Sequence, residues 1–120
     1  MSARIAVVHD DPDFLDALSE GLRFAGHDVA TFADPFPALT ALELVADVKI
    51  LITRMRFGDQ QPVGLSLARV ARTARPEVKV LFIAHPEFQS YTLGVGEFMG
   101  LPVNVAEVVA MVDRMLAADD

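Results

Sequence analysis

Hydrophobic positions along this chain fall into two alternating rhythms. Arg4-Ile5-Ala6-Val7-Val8 is a largely apolar run that ends in the polar cluster His9-Asp10-Asp11-Pro12. An apolar run without alternation predicts a strand buried on both faces, as a parallel sheet requires. Asp11 is a good N-cap, and Pro12 suits the first helical position, where its missing N–H costs nothing. Phe14, Leu15, Leu18, Leu22 and Ala25 then recur at helical steps up to Gly26, a C-terminal stop. His27 to Phe32 reads as a short strand with Val29 and Ala30 inward. Asp34-Pro35 opens a second helix through Leu39, Leu42 and Val45. Val48 to Thr53 is a β-branched apolar strand, followed by a loop from Arg56 to Val63. Gly64 to Ala74 is helical, with Leu67, Val70, Ala71 and Ala74 on one stripe. Val78 to Ile83 is a fourth strand, Pro86 to Leu93 a short, poorly patterned helix, and Gly96 to Gly100 a fifth strand. Asn104 caps a last helix whose Val105, Val108, Val109, Val112, Met115 and Leu116 form the clearest apolar stripe.

Five strands alternating with five helices imply right-handed crossovers and a parallel sheet covered on both faces. The expected architecture is α/β, flavodoxin-like, with strand order 2-1-3-4-5 and residues 1–120 forming a single domain. Ligand chemistry in such a sheet lies beyond the carboxyl ends of its strands, where the acids after the first strand fall. A length of 120 residues, 52% of them apolar, supports one real core. The net charge of −7 offers no basic patch for a nucleic-acid backbone. No apolar run is long enough for a membrane span, and the N-terminus has no signal-peptide layout. Cysteine is absent, which removes disulfides and thiolate metal sites. A cytoplasmic domain is the expectation. The phosphate-cradling spacing, the dinucleotide fingerprint and the nucleophile elbow are all missing, so no catalytic machinery is read.

Over nearly its full length the sequence resembles the receiver domain of two-component response regulators, the CheY-like family. The resemblance is carried by Val7-Val8-His9-Asp10-Asp11-Pro12, by Leu51-Ile52-Thr53-Arg54 with the loop to Gly64, by Arg75 to Ile83, and by Phe98-Met99-Gly100-Leu101-Pro102-Val103. It implies phosphoryl transfer from a kinase histidine to an aspartate ending the third strand, with Mg²⁺ held by that carboxylate and by acids ending the first strand. It also implies a Thr or Ser ending the fourth strand and a Lys ending the fifth.

Matched residue by residue, the family's paired acids fall on His9 and Asp10, with Asp11 as a third, so any metal position rests on Asp10 and Asp11. The phosphoacceptor falls on Arg54; a shifted register gives Thr53 or Ile52, and none of these is a carboxylate. The hydroxyl position falls on Ile83 and the lysine position on Leu101. Asp59 is the only acid in the loop after the third strand and lies too far along to serve. These departures predict a receiver fold without receiver chemistry, with Mg²⁺ binding weak or lost. A guanidinium cannot act as nucleophile, but Arg54 can pair with Asp10 or Asp11 where the cation would sit; otherwise it points to solvent.

Two further groupings follow. Phe98 matches the family's switch aromatic, whose alternative role is simple packing. Phe88, Tyr91, Leu93, Met99 and Val103 make the region of the fourth helix, fifth strand and fifth helix unusually apolar, a candidate protein interface and homodimer face. The expectation is therefore a stand-alone pseudo-receiver acting through protein contact, with a histidine kinase or phosphotransfer protein as partner. No output domain is expected between the last helix and Asp120. The alternative is a small-ligand or metal-binding protein using His9, Asp10, Asp11, Arg54 and His85, with His9 titrating near neutral pH.

Overall fold

A computed structural model describes residues 4–44, 47–57 and 63–118 of the chain. Val45 and Asp59, both named above, lie outside the described residues. The order is β1 (Arg4–Val8), α1 (Pro12–Phe24), β2 (Asp28–Phe32), α2 (Pro35–Leu44), β3 (Val48–Thr53), α3 (Val63–Ala74) and β4 (Lys79–Ala84). A 3₁₀ helix (Pro86–Thr92), β5 (Glu97–Gly100) and α4 (Val105–Ala117) complete it. All strand pairs are parallel, in the order β2-β1-β3-β4-β5. The α/β flavodoxin-like architecture expected from the sequence is the one observed.

The unbroken apolar strands supply two cores by simple alternation, because successive side chains leave opposite faces of a strand. Ile5, Val7, Ile50, Ile52, Leu81 and Ile83 meet Leu15, Leu18 and Leu22 of α1 and Val108, Val112 and Met115 of α4. Ala6, Val8, Leu51, Val80, Phe82 and Ala84 face the other way, onto Ala38 and Leu42 of α2 and Leu67, Ala68 and Ala71 of α3.

Both helix caps read from the sequence are present. The Asp11 carboxylate accepts the Asp13 amide at 3.1 Å, and Asn104 forms a reciprocal capping box with Glu107. Several expectations are corrected. The fourth helix is a single 3₁₀ segment, consistent with its weak pattern and the Gly94 and Gly96 that follow it. His27 lies outside β2, buried, with Nε2 3.2 Å from the Asp113 carboxylate of α4. Ala25 and Ala74 are exposed, each at the end of its helix where the apolar stripe has run past the core.

Candidate functional site

Register places the site. Val8 pairs with Thr53, and Thr53 with Phe82, so the residues just beyond them, His9, Arg54 and Ile83, form the next row at the carboxyl ends of the central strands. A cleft of about 380 Å³ opens there, lined by Asp10, Arg54, Met55, Arg56, Ala84, His85, Glu87 and Phe88.

Arg54 reaches across this cleft to Asp10: Nη1 donates to Oδ1 at 2.6 Å. The contact uses one guanidinium nitrogen and falls on Asp10, one of the two acids the sequence offered. Asp11 Oδ1 is turned to the first amides of α1, which it caps. Burial is the largest influence on the Asp10 carboxyl and pushes its pKa up. The Arg54 hydrogen bond and charge, with smaller help from its own backbone amide and His9, outweigh burial and hold it below the ordinary carboxylate value.

His9 is buried. Its Nδ1 accepts the Asp11 amide at 3.0 Å, and its ring lies 4.8 Å from that of Phe14. The acceptor role at Nδ1 fixes the proton of the neutral ring on Nε2. Burial, then the charge of Arg54, lower the His9 pKa below 6.5 against the opposing pull of Asp10 and Asp11.

The metal readings meet the same geometry. His85 is exposed on the cleft, while His9 Nδ1 is already committed to a backbone amide. Among the described residues no group of three or more His, Cys, Asp or Glu side chains converges. Mg²⁺ needs oxygen ligands in near-octahedral order. Here the Asp10 oxygen is paired with a guanidinium, Asp11 caps a helix, and position 54 supplies a cation, so the residues present do not fit that ion.

The remaining sequence-marked positions separate. Ile83 is 1% exposed inside the core shared by α1 and α4, leaving Ala84 to line the cleft. Leu101, Met99 and Val103 pack against the same core, and the Leu101 amide donates to the Ala84 carbonyl. Phe98 and Phe88 pack half-buried against the opposite core. Of the five interface candidates, only Tyr91 (59% exposed) and Leu93 (74%) stand free of the core; Phe88, Met99 and Val103 do not. Sequence reasoning did not place Met55, Arg56, Ala84 or Glu87 in the cleft. Their position directly after the central strands was the available signal.

No family model matches the chain. It is 31% identical over 121 residues to the transcriptional regulatory protein PrrA of Mycobacterium tuberculosis, covering 96% of this chain and 50% of that protein. It is 28% identical over 123 residues to the DNA-binding regulator RpaA of Synechocystis, covering 98% and 50%. The chain thus spans about half the length of the curated relatives it matches. Among solved structures it superposes on a response regulator receiver protein from Sinorhizobium medicae with a TM-score of 0.86 at 24% identity, over 99% and 98% of the two chains. On the beryllofluoride-activated receiver domain of DrrB the TM-score is 0.78 at 25% identity, over 98% and 99%. This is a response-regulator receiver-type domain. In this receiver domain no helix among the described residues is long and apolar enough to cross a membrane.

Proposed function

We propose that this receiver domain serves two-component signalling as a phosphorylation-independent module, a pseudo-receiver that transmits by protein contact and catalyses nothing. The observation that carries the reading is the 2.6 Å pair between Arg54 and Asp10. A guanidinium stays protonated at accessible pH and offers no lone pair to phosphorus, so position 54 cannot form an acyl phosphate. Its fixed charge also neutralises the acid that a divalent cation would need. The absence of a hydroxyl at Ile83 and of an ammonium group at Leu101 points the same way, since neither side chain can bind phosphoryl oxygens. A histidine kinase or phosphotransfer protein is the proposed partner, and self-association through Tyr91 and Leu93 is the proposed second contact.

The test is a two-dimensional amide NMR titration with Mg²⁺ and then beryllofluoride, with intact mass measured after incubation with acetyl phosphate. The expected result is no saturable shift at Asp10, Arg54, Ala84 or Leu101 and no phosphoryl adduct. Saturable shifts spreading from Asp10 to Phe98, or an added phosphoryl group, overturn the proposal.

A further inference from the structure

The first turn of α3 comes back against the residues that follow β3. Gly64, in the first turn of α3, donates its amide to the Met55 carbonyl at 3.0 Å. A Cβ on Gly64 would lie 2.1 Å from the Arg54 carbonyl oxygen and 3.0 Å from Met55 Cα. Both are backbone atoms, which cannot swing aside as the end of a side chain does. The same Arg54 carbonyl oxygen accepts the Thr53 hydroxyl at 2.8 Å. The Arg54 peptide is thus held by Thr53 and abutted by Gly64, while its side chain spans the cleft to Asp10.

We infer that Gly64 is a positioning residue for Arg54: a bare Cα at the start of α3 lets that helix seat against the Arg54 peptide and fixes where the guanidinium meets Asp10. The distances give the size of the effect. To restore even a 3.0 Å contact with a new Cβ, the Arg54 carbonyl must retreat by about 0.9 Å from its present 2.1 Å. A shift of that size along the Arg54–Asp10 direction carries a 2.6 Å contact to the outer limit of a hydrogen bond. Gly64 therefore acts through Arg54 and touches no ligand itself. The inference rests on the reading of Arg54 as the permanent cation of the cleft.

Asp10 reports on it directly. Its carboxyl titration is followed by carbon-detected NMR in the unaltered chain, in Gly64→Ala and in Arg54→Gln, with circular dichroism as the check on folding. The expected result is an Asp10 midpoint in Gly64→Ala that rises toward the Arg54→Gln value. A folded Gly64→Ala that keeps the original midpoint overturns the inference. Should Gly64→Ala not fold, Thr53→Val decides: it frees the Arg54 carbonyl from the other side, and a raised Asp10 midpoint supports positioning through this peptide. An unchanged midpoint there overturns it. Failure here is distinct from failure of the pseudo-receiver reading, which the beryllofluoride titration measures without reference to the Asp10 midpoint.

Discussion

Replacing Arg54 with Gln tests the central contact of the cleft, because it removes the charge while keeping a polar side chain of moderate length. The side chains of the pair are 29% and 36% exposed, so solvent screens much of their attraction. A fully exposed pair contributes about 0.2–1 kcal/mol, and a hydrogen bond to a charged group about 1.5–3 kcal/mol. Discounted for exposure, the expected loss is about 1 kcal/mol near neutral pH. Its pH dependence is the sharper signature. The Asp10 carboxyl ionises more readily in the folded chain than in the unfolded one. Its contribution is therefore fully present above the unfolded value of about 3.9 and is lost as pH falls through the lower, folded value. Urea denaturation of both proteins at closely spaced pH values should show curves about 1 kcal/mol apart near pH 7 that converge in acid. Equal stabilities near neutral pH, or a gap that persists below the Asp10 midpoint, would refute the assignment of that energy to the ion pair.

The His9 ring should titrate below its ordinary value of about 6.5, and its midpoint should rise in Arg54→Gln, because burial and the Arg54 charge both lower it. Since the unfolded state takes up the proton first, His9 costs stability as pH falls below about 6.5, a loss that levels off below the folded midpoint. Ring-proton NMR settles this, and a midpoint at or above the ordinary value would sink it. Leu18 is fully buried between α1 and the sheet, so Leu18→Ala should cost about 2–5 kcal/mol by denaturation; a loss under 1 kcal/mol would contradict the packing described. Tyr91 and Leu93 are exposed, so the double variant Tyr91→Asp, Leu93→Asp should keep the stability of the parent within roughly 1 kcal/mol. If these residues mediate self-association, sedimentation will show the parent dissociating on this change; an oligomer that survives it would place the contact elsewhere.

The strands and their faces were legible because strand periodicity is a local property. Each unbroken apolar run distributes alternate side chains to two cores, and only a sheet covered on both sides satisfies it. The caps at Asp11 and Asn104 were equally legible, since the amides they satisfy lie within a few residues. The poor pattern from Pro86 onward already signalled a weak element, although not that it would be 3₁₀.

The charge state of the cleft was not legible in this way. Sequence alone left Arg54 a choice between Asp10, Asp11 and water, separated from both acids by more than forty positions. Tertiary structure decided for Asp10, while Asp11 caps α1. Burial of His9 against Phe14 and the seating of Gly64 on the Arg54 peptide were decided in the same manner. So was the division of the apolar segment around the 3₁₀ helix and β5 into core-packed Phe88, Phe98 and Met99 and exposed Tyr91 and Leu93. That position 54 carries a guanidinium and no carboxylate could be read from the chain, because residue identity fixes which groups can ionise or attack. What that guanidinium touches depends on contacts between distant segments, which form only once the sheet has brought the strand ends together.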